Sequence, residues 1–152
     1  MRVTRAADIG LRALMLLAGE PERRTTIAEL AEELSVPERH LGKIVQQLAT
    51  SQWILTTRGR GGGIQISEKG RTATASDVLR LIEGERPPID CYEPPCPLAT
   101  RDCRLRGLLG TAQAAFDAEL ARVTMADLAG PLLLSPGAAR TSLDIFTSNN
   151  LR

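Results

Sequence analysis

Histidine and aromatic residues are scarce in this chain: one His, one Trp, one Tyr and two Phe among 152 residues. A hydrophobic content of 43% is nevertheless enough for a core. The single histidine, His40, has no nucleophile–base constellation around it, so an enzyme is not expected. No window approaches the roughly 20 apolar residues needed to span a bilayer, and no membrane partner is expected. The N-terminal residues, beginning Met-Arg-Val-Thr-Arg, contain no apolar run of the kind a secretory signal needs. Cysteine occurs three times, an odd number that argues against a disulfide framework. A cytoplasmic, reducing location with free thiols or metal ligands is expected instead. Charge excludes little. Residues 1–73 hold 11 Lys and Arg against 8 Asp and Glu, and residues 74–152 hold 8 against 10, which permits nucleic-acid binding by the first half without arguing for it. The length fits one domain, or a small domain with an appended element.

What is present is concentrated between Pro87 and Arg106. That stretch contains all three cysteines, Cys91, Cys96 and Cys103, and five of the nine prolines. Pro87, Pro88, Pro94, Pro95 and Pro97 fix φ and remove backbone donors, keeping the segment out of helix and sheet. Gaps of four and six residues let three thiolates converge from a stiffened loop. Soft thiolates select iron–sulfur clusters, zinc or Cu(I), so the loop reads as a metal site lacking one ligand. Three unrelated small buried thiols are the alternative. Burial alone does not account for their confinement to thirteen positions of the chain.

In chain order, residues 5–18 predict an amphipathic helix with Ile9, Ala13, Leu16 and Leu17 on one face and Thr4 as N-cap. Asp8 lies in its first turns, where the helix dipole favours a carboxylate. Thr26 and Glu29 form a capping-box pattern ahead of Ile27, Leu30, Ala31 and Leu34. After the Ser35-Val36 turn a second helix opens at Pro37, a favoured first-turn residue, and carries Leu41, Ile44, Val45 and Leu48. Together these make a helix-turn-helix, with Glu38, Arg39, His40 and Lys43, and Gln46 or Gln47 further along, placed to reach base edges. For His40, solvent exposure without a DNA contact is an equal alternative. Trp53–Thr57 and Ile64–Ile66 read as two strands around Arg58-Gly-Arg-Gly-Gly-Gly63. Glycines permit a tight turn, and Arg58 and Arg60 can meet phosphates or enter a minor groove. A basic hairpin after a helix-turn-helix is a winged helix. The expected fold is therefore mainly α with a small β-wing, and double-stranded DNA is the expected partner.

In the second half, Ser76 is expected to cap a short helix with Val78, Leu79, Leu81 and Ile82, ending at Gly84. Beyond the cysteine loop, Leu105, Leu109, Ala112, Phe116, Leu120 and Val123 mark one long helix with a continuous apolar stripe. A second copy of the chain would cover that stripe, and a homodimer also suits paired DNA half-sites. The expected organisation is a winged helix-turn-helix over 1–73, a linker helix and cysteine loop over 74–106, a dimerisation helix over 107–126, and a loosely ordered tail over 127–152. Leu132–Leu134 and Ile145-Phe146 are possible docking points in that tail.

These residues resemble the NsrR/IscR family of winged-helix iron–sulfur transcriptional regulators. The resemblance spans residues 1 to about 126 and rests on the Arg58–Gly63 wing, the Asp77–Gly84 helix ending Ile-Glu-Gly, and the three-cysteine loop. It implies a homodimeric repressor with an iron–sulfur cluster, 4Fe–4S ahead of 2Fe–2S, bound by Cys91, Cys96 and Cys103. IscR-like members place a histidine three positions after the last cysteine, where this chain has Arg106. A further type uses a first-helix histidine where this chain has Arg12. NsrR-like members supply an aspartate from the partner's first helix, and Asp8 matches it, with nitric oxide as the implied signal. An iron-status or redox regulator of the same fold, and a zinc-stabilised DNA-binding protein without sensing chemistry, are the competing readings.

Overall fold

Helix α1, Arg5–Gly19, starts where the Thr4 hydroxyl accepts the Ala7 N–H at 3.3 Å. It buries Ala7, Ile9, Ala13, Leu14, Leu17 and Ala18. The expected face included Leu16, which is only half-buried, and missed Leu14, which is fully buried. The buried stripe is centred on Gly10, Ala13 and Leu17, and Leu14 sits closer to that line than Leu16 does. The structure, a computed structural model, describes residues 3–85, 87–92, 95–98 and 103–129.

Helix α2, Ile27–Glu33, packs on α3, Glu38–Thr50, and α3 packs on α1, as the two amphipathic rows require. Pro37 is not the first helical residue; it is the N-cap of α3, in extended conformation, and its carbonyl accepts from His40 and Leu41. A proline cannot donate a hydrogen bond, so the boundary position costs it nothing. Strands β1, Ile54–Thr57, and β2, Gly63–Ile66, pair antiparallel with Ile54 opposite Ile66 and Thr56 opposite Ile64. Thr25 adds to the other edge of β2 through two backbone hydrogen bonds with Ile64, 3.0 and 2.7 Å. The wing is thereby stitched to the segment that leads into α2.

Two short helices were not anticipated. Helix α4, Glu68–Thr72, is capped by Ser67 and is too short for periodicity to reveal. Helix α7, Met125–Leu128, has its own capping box, in which Thr124 and Asp127 satisfy each other's backbone N–H groups. Helix α5, Ala75–Glu83, is capped by Thr74 with Asp77 rather than by Ser76. The reciprocal bonds of a Thr-x-x-Asp box outweigh the single bond a serine two residues later would make, and Ser76 is buried inside the first turn. Helix α5 ends at Gly84, as expected. A Cβ at Gly10 of α1 would overlap Ile82 Cδ1, so the Ile82 side chain of α5 packs into the space beside this glycine.

Helix α6 runs Arg104–Leu120 and stops before Val123. The apolar stripe continues past its end because the chain turns back to the body. Ala75 N–H bonds the Val123 carbonyl at 3.1 Å, Met125 N–H bonds the Ala73 carbonyl at 2.8 Å, and the Met125 side chain is fully buried. Leu14, Leu30, Leu41, Leu48, Val78 and Met125 form the centre of the core. None of the residues of α6 is fully buried, and a cleft of about 900 Å³ lies between it, α5 and the start of α1. Of the expected tail, residues 127 and 128 belong to α7, while Leu132–Leu134 and Ile145-Phe146 lie outside the described residues. Among the described residues no helix is long and apolar enough to cross a membrane.

Candidate DNA-binding face and cysteine loop

The turn between α2 and α3 is set by Ser35, whose φ of 54° is left-handed, with the Val36 N–H on the Ala31 carbonyl at 3.0 Å. The other end of α2, its start, is held by Glu29, whose carboxylate accepts from the Thr26 N–H at 2.7 Å and the Thr25 hydroxyl at 3.1 Å. The backbone hydrogen bond from Thr26, then the threonine hydroxyls, keep the Glu29 carboxyl below the usual glutamate range. Arg23 clamps the far end of α2 through Glu33 at 2.6 Å, and that bond raises its pKa above the ordinary arginine value.

With Leu41, Ile44, Val45 and Leu48 inward, α3 turns Glu38, Arg39, Lys43, Gln46 and Gln47 to solvent, while His40 is half-buried. Arg39, Lys43 and Gln46 are spaced four and three residues apart, so they form one outward row. At the wing, Gly59 and Gly61 take φ of 100° and 76°, and the Gly62 N–H closes the turn on the Gly59 carbonyl at 2.9 Å. Arg58 and Arg60 are exposed on that turn. Among the described residues no carboxylate pairs with Arg39, Lys43, Arg58 or Arg60. Four uncompensated cations on one helix and the adjoining hairpin suit an acceptor-rich phosphate backbone.

Cys91, Cys96 and Cys103 are free thiols, each half-buried. The Cys96 N–H donates to the Cys91 carbonyl at 3.1 Å, which folds that part of the loop back on itself. Tyr92 N–H bonds Asp90 Oδ1 at 2.8 Å, starting the turn. Cys103 stands at the N-cap of α6 and its carbonyl accepts from Gly107. Among the described residues no three His, Cys, Asp or Glu side chains are grouped closely enough to hold a metal ion. Asp8 is half-buried on α1, where its Oδ1 is 2.8 Å from Arg12 Nε. Arg12 was not anticipated beside Asp8, although an i, i+4 pair of opposite charge is a readable signal. By donor chemistry the set fits a thiophilic metal group: three unpaired soft thiols on one loop.

Such a body, a helix-turn-helix with a basic two-stranded wing, defines a winged-helix DNA-binding regulator rather than an enzyme. The chain belongs to the Rrf2 family, described as iron-dependent transcriptional regulators, whose profile matches residues 3–131. It is 39% identical over 141 residues to the HTH-type transcriptional repressor NsrR of Streptomyces coelicolor, covering 88% of this chain and 95% of that one. Among solved structures, CymR, the global cysteine regulator of B. subtilis, superposes with a TM-score of 0.70 at 23% identity, covering 85% of this chain and 96% of that one. IscR of T. potens does so with 0.69 at 19% identity, covering 84% and 85%. These structural likenesses show the fold.

Proposed function

We propose that the chain is a homodimeric repressor whose hold on a double-stranded DNA operator is controlled by an iron–sulfur cluster of the 4Fe–4S type that responds to nitric oxide. The observation that carries this reading is where the thiols stand. Three free cysteines occupy one proline-rich loop, and the last of them opens α6, in a chain whose other half is a DNA-binding body. The 39% identity to a repressor named NsrR supports the same reading.

Cys91, Cys96 and Cys103 would hold the cluster from one chain, and Asp8 of the partner subunit would be the fourth ligand. When bound, the cluster supplies iron open to a small reactive molecule, because carboxylate oxygen is a harder and weaker partner for it than thiolate. Asp8 sits on α1, whose Thr4 N–H is held by Glu83 of α5 at 2.7 Å, so a pull on Asp8 is felt by the packed body that carries α3. On the operator, Arg39 and Lys43 read bases from the outward face of α3, with Glu38 and His40 at its first turn, and Arg58 and Arg60 take the phosphates or the minor groove beside the wing. Leu105 and Leu108, 54% and 67% exposed on α6, would be covered by the second copy.

The test is anaerobic visible spectroscopy with iron and sulfide quantification, combined with operator titration before and after nitric oxide. A coloured protein with iron and sulfide in equal amounts is expected, and its operator affinity should fall by roughly 5–150-fold on exposure to nitric oxide. A colourless zinc protein would replace this reading with that of a zinc-stabilised DNA-binding protein. A cluster indifferent to nitric oxide would leave an iron or redox regulator.

A further inference from the structure

We infer that Gly42 of α3 is a point of close approach to the operator: its missing side chain lets the helix backbone settle against base edges in the major groove. This rests on the reading of α3 as the helix that lies on DNA, and adds a position which that reading left out. Among the described residues nothing asks for a glycine here. Gly42 lies in the middle of a 13-residue helix, its φ is not positive, and a Cβ built on it would meet nothing within 4 Å. Other helical glycines are accounted for by their neighbours. A Cβ at Gly10 would overlap Ile82, and one at Gly70 of α4 would overlap the Trp53 carbonyl. Gly107 and Gly110 share the open surroundings of Gly42, and both stand exposed on α6, which buries no side chain completely.

A glycine inside a helix is not neutral. Against alanine it lowers the folding equilibrium by a factor of roughly five, because it has more backbone freedom to lose and exposes the backbone to water. Packing within the chain does not offset that cost, and the surroundings of Gly42 say what does. Glu38 and Arg39 stand four and three residues before it and Gln46 four after, all exposed, while Gly42 is half-buried. It is the floor of a notch at the edge of the outward row that Arg39, Lys43 and Gln46 form. Base edges in the major groove offer donors and acceptors to the side chains around the notch, and a thymine methyl to its apolar floor. A β-carbon there would hold α3 away from the bases and lengthen those hydrogen bonds together. Hydrogen bonds tolerate little lengthening.

The experiment titrates wild type, Gly42→Ala, Gly42→Leu and Arg39→Ala, as full-length anaerobic protein with matched iron content, against two duplexes over a range of salt. One duplex is that which wild type selects from a randomised pool, and the other is unrelated in sequence. A urea midpoint is recorded for each protein. Gly42→Ala should raise the urea midpoint, because alanine suits a helix interior better, and yet weaken binding to the selected duplex. Gly42→Leu should weaken that binding further, by roughly 5–150-fold, the cost of one mismatched base pair. Affinity for the unrelated duplex and the salt slope should keep their wild-type values, because no phosphate contact is removed. A purely structural glycine would not move stability and specific binding in opposite directions. If both Gly42 variants bind the selected duplex as wild type does while Arg39→Ala binds it weakly, α3 lies on DNA and the inference fails alone. Wild-type binding by all three variants would take α3 off the operator, and the inference with it. A lowered urea midpoint for Gly42→Ala would make the glycine a need of the fold, and an equal loss on both duplexes would exclude base readout; either result overturns the inference.

Discussion

Helix α3 buries Leu41, Ile44, Val45 and Leu48 inside its own chain, whereas α6, 17 residues against 13, buries none of its side chains completely. Both have apolar rows, so apolar content does not separate them. What separates them is the number of neighbours. Helix α3 is enclosed by α1, α2 and β1, while α6, among the described residues, packs mainly on α5 beside an open cleft. A helix enclosed on several sides stabilises the fold. One left half-covered contributes through whatever covers it, and here that position adjoins the cysteine loop.

The sharpest way to break this contrast is to shorten one leucine in each helix. Leu48→Ala removes a fully buried side chain and should destabilise the chain by about 2–5 kcal/mol, read as a lowered urea midpoint. Leu108→Ala, at 67% exposure, should leave the unfolding of an isolated chain nearly unchanged. Equal destabilisation by both would mean that α6 is enclosed as α3 is. The complementary change is Leu108→Glu, which should weaken self-association by roughly ten- to a hundredfold, the equivalent of about 1.5–3 kcal/mol for burying a leucine. Sedimentation equilibrium reads this directly. An unchanged dimer would place the interface elsewhere.

The DNA-binding face allows a finer contrast. Arg39→Ala should cost about 1–3 kcal/mol on the preferred operator and relax sequence preference there. Arg60→Ala should weaken binding to all sequences alike and reduce the salt slope by about 1. If Arg60→Ala altered sequence preference with an unchanged salt slope, the wing would be reading bases.

Much of the body was legible because its signals are local. The Thr26–Glu29 box, the Pro37 boundary within one residue, and the Arg58–Gly63 turn each lie within a few positions of chain. The errors arose where two local signals competed or where contacts were distant. Ser76 was the expected cap of α5, but it is Thr74, not Ser76, that has a carboxylate three residues on. Val123 continued the stripe of α6, but Thr124 and Asp127 begin a new helix, so periodicity overran the true end. The cysteine loop was legible as chemistry and not as geometry. Spacing says that three thiols share a loop, while the proposed grouping with Asp8 of the partner subunit would depend on a second chain, which no single-chain pattern encodes. Arg12 was passed over as a missing histidine, although its charge and its distance from Asp8 already specified the pair.

The smallest effect is expected at the seam where the two regions meet. There Thr74 pairs with Thr124, and both begin a helix with a Thr-x-x-Asp box. The Thr74 hydroxyl donates to Asp77 Oδ2 at 2.7 Å and the Thr74 N–H to the same oxygen at 2.9 Å. These bonds, the hydroxyl first and then the backbone, hold the Asp77 carboxyl below its ordinary value of 3.8, with a lesser contribution from Arg80. The same pair of bonds from Thr124 lowers Asp127. A depressed carboxyl contributes stability that is fully present above the unfolded value and is lost as pH falls through the folded one. Thr74→Ala should therefore cost about 1 kcal/mol at pH 7. As both proteins are taken below the ordinary aspartate value of 3.8, the difference in urea midpoint should shrink, because protonated Asp77 no longer accepts both bonds. Thr124→Ala should show the same pH dependence with a smaller amplitude, since Asp127 is exposed and Asp77 is half-buried. A gap for Thr74→Ala that stays constant from pH 7 to pH 3 would mean that the box contributes through the hydroxyl alone, and that the charge of Asp77 plays no part in joining α6 and α7 to the body.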